Sequence, residues 1–454
     1  MDDIDDTISG RAGARWAALY RTHLDMLKGQ FGTALATSGY NTVVIGAGTE
    51  IYRFLDDQTY PFKPNPHFIR WLPLTQHPES CLIYRPGERP RVIVYRPDDY
   101  WRKPPELTDG PWRDHFEVST IGDLNALHGQ LEKLPAPTAW IGEPAQWRGR
   151  APKIHINPIN LLNELHYHRP FKSDYEIECI RCATRRSAPA HRAAAAAFRQ
   201  GASEQEILIA FLNACGQTEN DLPYPAIVAT NTNGAVLHYQ HYTRERSQLH
   251  SLLIDAACGW NGYAADITRT YAFEDDGFAD MVTDLNEAQQ QLCAQVKPGA
   301  SFLDLHHEAH RCVAGLLRDW GLINRAPDDL VEQGITALFF PHGLGHFLGL
   351  QVHDVGGSMA DALGTEIEPS ARYPHLRLRR ILAAGQVLTI EPGIYFIDSL
   401  LAQLHKSSVA NDVDWKRIDE LKKFGGIRIE DDLVVTPDGA DNLTREAFEE
   451  MGGE

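Results

Sequence analysis

Apolar and polar positions change period several times along the chain, and each change predicts an element. From residue 13 to 32, Trp16, Leu19, Tyr20, Leu24 and Leu27 recur at helical spacing, which predicts an amphipathic helix covering a core. Short β-rich runs follow: TVVIGA near 43, HFIRWLPL from 67, SCLIYR from 80 and RVIVYR from 91, separated by Pro, Gly and Asp turns. A helix near 121–133 and the strand-like TAWIGEP complete a small mixed α/β N-terminal domain, residues 1–168. Helices dominate afterwards. Ser173-x-x-Glu176 and Ser203-x-x-Glu206 read as capping boxes, in which a serine hydroxyl and a glutamate satisfy orphan amides at a helix start. Pro189 predicts a break in the alanine-rich run between them. Helices are expected over 278–296 and 302–319, whereas 224–273 and 385–436 read as strands and hairpins. The whole is expected to be α+β, with a second domain over 169–454.

Composition narrows the class. A net charge of −18 disfavours nucleic acid and anionic membrane surfaces as partners. The start, MDDIDDTISG, lacks the basic and apolar regions of a signal peptide, and no stretch approaches the roughly 20 apolar residues of a membrane span. Seven scattered cysteines suit a reducing compartment, so a cytoplasmic location is expected. The Cys179-x-x-Cys182 pair lies in a helical run without a second pair and reads as structural.

Two stretches carry candidate chemistry. In LLIDAACGWNGYAADITRTYAF, Asn261-Gly262 is a strong two-residue hairpin turn. That turn pairs Trp260 with Tyr263 and sets Ala257 opposite Asp266, which makes Asp255 and Asp266 diagonal neighbours on one face. Two adjacent carboxylates on an apolar hairpin require a cation, a shared proton or a solvated face. In PHGLGHFLGLQVHDVGG, residues 341–357, glycines flanking Leu344 disfavour a helix, so His342 and His346 share one side of an extended segment. The stretch is either a metal-ligand source or a hydrogen-bonded histidine cluster.

Glu391 closes VLTIEPGIYF and Glu430 closes GGIRIEDDLVV, with Arg428 on the side of Glu430. Asp255, Asp266, Glu391 and Glu430 together carry −4, and His346 is neutral, so two divalent ions balance the set where a single zinc would not. Oxygen-rich ligation with one imidazole suits Mn²⁺, with Co²⁺, Fe²⁺ or Zn²⁺ by availability. A decoy lies at His306-His307-Glu308-Ala309-His310. His306 and His310 have helical ligand spacing, but the glutamate is out of register for HExxH.

The spacing of Asp255, Asp266, His346, Glu391 and Glu430 resembles that of the dinuclear metallopeptidases with the pita-bread fold, and most of all the branch containing bacterial Xaa-Pro dipeptidases (prolidases) and organophosphorus acid anhydrolases. The resemblance runs through LDDQTYPFKPNPHF (55–68), LPYPAIVATNTNGAVLHY (222–239), the DITRT hairpin and GGIRIEDD. It implies a pita-bread catalytic domain, a two-ion site on those five residues and hydrolysis of Xaa-Pro dipeptides by a hydroxide bridging the ions. It further implies that Glu391 is the acid/base, and that His342 and His353 contact the scissile carbonyl. Arg428 and His238 would hold the substrate carboxylate, and Tyr224 would line the pocket. Asp57 or its neighbour Asp56 would reach the substrate amine across a homodimer, with the N-terminal domain as dimerisation element and pocket wall.

Two departures stand out: the family's DAGA reads Asp255-Ala256-Ala257-Cys258 here, a bulkier residue where glycine is usual, and Phe302 stands where relatives carry a leaving-group tyrosine. They bear on a side activity toward organophosphorus esters and fluorides. That activity as the main one, an aminopeptidase P and a non-catalytic binding module are the alternative readings. The resemblance also includes PHLRL (374–378) within the insertion at 358–384, without assigning that insertion a role.

Overall fold

A helix over Arg11–Ser38 (α1) buries Tyr20, Leu24, Leu27, Phe31 and Leu35 along one stripe, as the helical period requires. The computed structural model describes residues 11–101, 103–107, 109–147, 153–274 and 277–452, so the acidic first ten lie outside it. The chain divides into two units, Met1–Glu178 with Asp361–Thr365, and Cys179–Ala360 with Glu366–Glu454.

In the first unit, β1 (Thr42–Gly46), β2 (Cys81–Tyr84), β3 (Arg91–Tyr95), β4 (Glu117–Ile121), β5 (Thr138–Ile141) and β6 (Ile154–Ile156) form one sheet in the order β4-β3-β2-β1-β5-β6. HFIRWLPL is not a strand: Pro66–Trp71 is a short helix (α2) whose N-cap, Asn65, accepts the His67 amide at 3.0 Å. Pro66 presets the first helical turn, and burial of Phe68, Ile69 and Trp71 around the whole helix erased the period that would have marked it. Helices follow at Leu124–Leu131 (α3) and Ile159–His168 (α4). The tip of the insertion, Asp361–Thr365, belongs to this unit, where the Asn163 side chain donates to the Leu363 carbonyl at 3.0 Å.

The Ser173 capping box is formed, with Ser173 N–H donating to Glu176 at 3.0 Å and Glu176 N–H to Ser173 Oγ at 3.3 Å. It opens a helix over Asp174–Arg199 (α5) that runs through Pro189 without the expected break. Pro189 cannot donate to the Arg185 carbonyl, a cost of about 3 kcal/mol, but full burial of Ala183, Ala188, Ala190 and Ala194 outweighs it. The second capping box, Ser203 with Glu206, opens Glu204–Cys215 (α6).

In the second unit, β7 (Ile227–Thr230), β8 (Ser251–Asp255) and β11 (Thr268–Ala272) form a sheet, and β9 (Gly259–Trp260) pairs with β10 (Tyr263–Ala264) around Asn261 and Gly262, both at positive φ. The hairpin register is the expected one: Trp260 faces Tyr263, and Asp255 faces Thr268. Helices Gly277–Cys293 (α7), Phe302–Asp319 (α8) and Pro327–Glu332 (α9) cover the core. Strands β12 (Val387–Ile390), β13 (Gly393–Tyr395), β14 (Gly426–Arg428), β15 (Asp431–Val435) and β16 (Ala440–Asn442) follow, and Leu443–Glu450 (α12) closes the chain. The region 385–436 is not all strand: Asp398–Leu404 (α10) and Trp415–Leu421 (α11) interrupt it, burying Leu401, Leu404, Ile418 and Leu421 at helical spacing. Among the described residues no helix is long and apolar enough to cross a membrane.

Arg70 and Glu176 pair at 3.2 Å with each side chain 1% exposed, and His23 bridges Ser173 Oγ and the Arg70 carbonyl at 2.7 Å each. Burial alone would raise the Glu176 pKa, but Arg70, His23 and Lys172 outweigh it and bring it down to about 2. A depressed carboxylate stabilises the fold above its unfolded pKa near 4.5 and loses that contribution, about 3 kcal/mol, as pH falls toward 2. Glu176→Gln should therefore destabilise the protein by roughly 3 kcal/mol at pH 7, because Arg70 is left buried and unpaired. It should also flatten the loss of stability between pH 4.5 and 2, as read by urea melts across that range.

Candidate metal centre

The histidine stretch lies along the edge of β12. Leu348 N–H donates to Val387 O at 3.0 Å, Thr389 N–H to His346 O at 2.9 Å and Glu391 N–H to Leu344 O at 2.8 Å. The segment is extended, as its glycines implied, but for a further reason. A Cβ on Gly345 would overlap the Thr389 carbonyl oxygen, so only glycine lets the two backbones approach. This pairing delivers both histidines to Glu391: His342 Nδ1 lies 3.6 Å from Oε2, and His346 Nε2 lies 3.7 Å from Oε1.

Asp266, His346 and Glu430 are buried, and each brings one ligand atom within 4.8 Å of the others. His346 Nδ1 is 3.0 Å from the Phe347 carbonyl, which can only accept, so that nitrogen carries the proton. The Nε2 lone pair then faces Asp266 Oδ2 at 3.4 Å and Glu391, three acceptors converging where a cation would satisfy all of them. Asp255 adjoins through Arg428, whose Nη2 donates to its Oδ2 at 2.7 Å, while its buried Oδ1 has no hydrogen-bond partner.

Electrostatics point the same way. Burial raises the Glu391 pKa to about 7, with Asp266 and Asp255 adding to it and His346 and Arg428 opposing. Burial and the neighbouring carboxylates push Glu430 well above the usual range, and Asp255 is raised too. The set cannot hold its charge without added positive charge, and buried carboxylates with one imidazole are the donors hard divalent ions prefer. The residues fit a two-ion centre.

The remaining candidates surround this core. His342 Nδ1–H donates to the Gly343 carbonyl at 2.8 Å, so its Nε2 accepts the Tyr395 hydroxyl at 2.8 Å. Burial, with Arg428 nearby, lowers the His342 pKa to about 3. The His353 ring packs edge-on against His346 at 4.4 Å, and the Tyr224 phenol lies among Asp255, Asp266 and Glu430. His238 is exposed and faces His342 and His353 closely enough for its charge to act on both. Asp57 lies in the first unit on an exposed loop, beside Phe54 and Leu55, each 91% exposed.

Arg428 is 4% exposed, and each of its nitrogens has a partner inside the site: Asp255, Tyr395 OH at 2.9 Å and Thr268 Oγ1 at 3.1 Å. Thr268 in turn donates to Glu430 Oε2 at 2.7 Å. Thr268, Tyr395 and Asp432, whose carboxylate accepts the Asp266 amide at 3.1 Å, escaped the sequence reading. Thr268 could have been found, since it lies two residues beyond Asp266 and shares its face. Tyr395 and Asp432 sit in apolar or acidic runs that gave no such cue.

His306 and His310 pack edge-on at 4.7 Å on α8, each 1% exposed, and burial lowers their pKa values to about 2 and 3. His310 bonds Thr336 at 2.9 Å and, among the described residues, no carboxylate joins the pair in a metal-ligand grouping, so the HExxH-like motif is structural. Cys179 and Cys182 are buried within α5, and no metal grouping among the described residues includes them.

Comparison with known proteins bears on the family and the fold. A model described as metallopeptidase family M24 matches residues 178–437, and one for the N-terminal domain of Xaa-Pro dipeptidase matches residues 18–167. The chain is 44% identical over 434 residues to an Xaa-Pro dipeptidase of Colwellia psychrerythraea, covering 95% of this chain and 98% of that one. It is likewise 44% identical over 438 residues to an Xaa-Pro dipeptidase of Stenotrophomonas maltophilia, covering 96% and 98%. A zinc-substituted Escherichia coli aminopeptidase P superposes with a TM-score of 0.68 at 24% identity over 92% of this chain and 95% of that one, a likeness of fold. The fold is thus the pita-bread architecture with an N-terminal domain.

Gly345→Ala should shift His346 away from Asp266 and cut metal uptake severely, while Gly315→Ala on α8, where an added Cβ meets nothing within 4 Å, serves as a control. Equilibrium dialysis with Mn²⁺, read by elemental analysis, checks this, and full uptake by Gly345→Ala would remove the stated role of the close approach.

Proposed function

The chain belongs to metallopeptidase family M24, and from that premise we propose that it is an Xaa-Pro dipeptidase that works with two divalent metal ions, Mn²⁺ by its oxygen-rich donor set. One observation carries the reading. Asp266, His346 and Glu430 converge, with Glu391 and Asp255 beside them, in a chain nearly all of which aligns with proteins named Xaa-Pro dipeptidase.

In this reading Asp255, Asp266, His346, Glu391 and Glu430 hold the ions. Bound there, the ions supply a water acidified to near-neutral pKa and a Lewis acid for the scissile carbonyl. The chain's own groups do the rest. Glu391 takes the proton of the attacking water and passes it to the departing prolyl nitrogen. His353 faces the carbonyl oxygen as charge develops on it, whereas His342, expected to share that contact, has both ring nitrogens engaged by the Gly343 carbonyl and the Tyr395 hydroxyl. His238 takes the substrate's C-terminal carboxylate, whereas Arg428, expected to share that contact, has its three nitrogens engaged by Thr268, Tyr395 and Asp255 and holds those groups in place. Tyr224 lines the pocket. The proline nitrogen has no hydrogen and a fixed φ, which sets this bond apart from ordinary peptides.

We also propose a cytoplasmic homodimer. The exposed apolar pair Phe54 and Leu55 is the kind of surface a second copy covers, and residues 1–168 would supply that contact. Asp57 of the partner subunit would then meet the substrate amine.

Asp266→Asn should retain about half the metal and lose nearly all turnover of Ala-Pro. Elemental analysis and dipeptide assays read the two effects separately, and a variant normal in both would sink the proposal. On the unmodified enzyme, parallel kinetics with Ala-Pro, Ala-Pro-Ala and a fluorophosphate ester should rank the dipeptide first. Preference for the tripeptide would favour an aminopeptidase P, and preference for the ester a phosphorus hydrolase. Phe54→Ser with Leu55→Ser should shift sedimentation from dimer toward monomer.

A further inference from the structure

Glu204, the first residue of α6, is 1% exposed and yet accepts five hydrogen bonds. Its Oε1 takes Thr230 N–H at 2.7 Å, Thr230 Oγ1–H at 3.0 Å and Asn233 Nδ2–H at 2.9 Å. Its Oε2 takes Tyr239 O–H at 2.8 Å and Thr243 N–H at 2.7 Å. Burial alone would favour the neutral acid, but these donors keep it ionised at a helix N-terminus, where negative charge is also favoured.

All five donors belong to one stretch, Thr230 to Thr243, so a single carboxylate gathers both limbs of a loop. The limbs are clipped again further out. Asn231 accepts His250 N–H at 2.7 Å and donates to Gln248 O at 2.8 Å, while Arg246 grips Glu206 through two nitrogens at 2.9 and 2.7 Å. The inner turn rests on Gly425, where a Cβ would overlap the Asn231 carbonyl oxygen. Between these clips only a short outer segment is free of them. It carries His238, one residue before the Tyr239 that Glu204 anchors.

We infer that Glu204 is the positioning residue of the substrate pocket, setting His238 at its working place by gathering the 230–243 loop around one buried carboxylate. It does not touch substrate. The ionic acceptor takes all five donors at once, whereas a glutamine amide in its place would turn an N–H toward one pair of them. The inference rests on the proposed contact of His238 with the substrate carboxylate.

Steady-state kinetics on the manganese-loaded enzyme test it, with Ala-Pro as substrate and with metal content and melting temperature measured in parallel. Tyr239→Phe, which removes one strut, should raise KM a few-fold at nearly unchanged kcat and full metal content. Glu204→Gln should raise KM about tenfold, the weight of a hydrogen bond to a charged group. In a His238→Ala background, neither substitution should raise KM further, since the loop then has nothing to present. If Glu204→Gln does not fold, Tyr239→Phe and Asn233→Ala carry the cycle. A raised KM for His238→Ala that multiplies with that of Tyr239→Phe overturns the inference alone. An unchanged KM for His238→Ala overturns the His238 assignment and the inference with it.

Discussion

Four carboxylates and one imidazole share a buried space in the second unit, and the charge they bring is the constraint on which the rest depends. No internal arrangement neutralises it fully. Arg428 supplies one positive charge, yet burial and mutual repulsion still raise the pKa values of Asp255, Glu391 and Glu430. Divalent cations meet that deficit, which ties the structure of the site to the chemistry of its family.

The surrounding fold holds the acids in a geometry that repulsion alone would scatter. Arg428, Thr268 and Tyr395 form a continuous set of hydrogen bonds beneath the cluster, joining Asp255 at the end of β8, Glu430 from the link between β14 and β15 and His342 from the extended segment. Backbone carbonyls set the tautomers of both histidines, leaving His346 Nε2 toward the carboxylates and His342 Nε2 toward Tyr395. The same economy governs the rim, where Glu204 satisfies its own buried charge only by drawing a surface loop inward. In both places a polar group that would be costly if left alone becomes the organiser of what lies around it.

Local signals were reliable wherever one physical rule decided the outcome. Asn261-Gly262 set the turn type, and the turn set the register that places Asp255 and Asp266 on one face. The serine and glutamate pairs at 173 and 203 opened helices where expected. They failed where burial competes with local preference. HFIRWLPL is a helix because its buried surface surrounds it, and Pro189 stays within α5 because packed alanines outweigh one lost hydrogen bond.

What the sequence determined by itself was the inventory: acids and a histidine placed in apolar strands, with a hairpin turn and glycine-flanked segment to present them. The tertiary structure decided the partners. That Arg428 leans on Asp255, that Thr268 lies between Arg428 and Glu430, and that Glu204 gathers a distant loop depend on residues remote in sequence meeting in space. Period and propensity act over a few residues, whereas a buried charge is answered by whatever the whole fold brings within hydrogen-bonding reach.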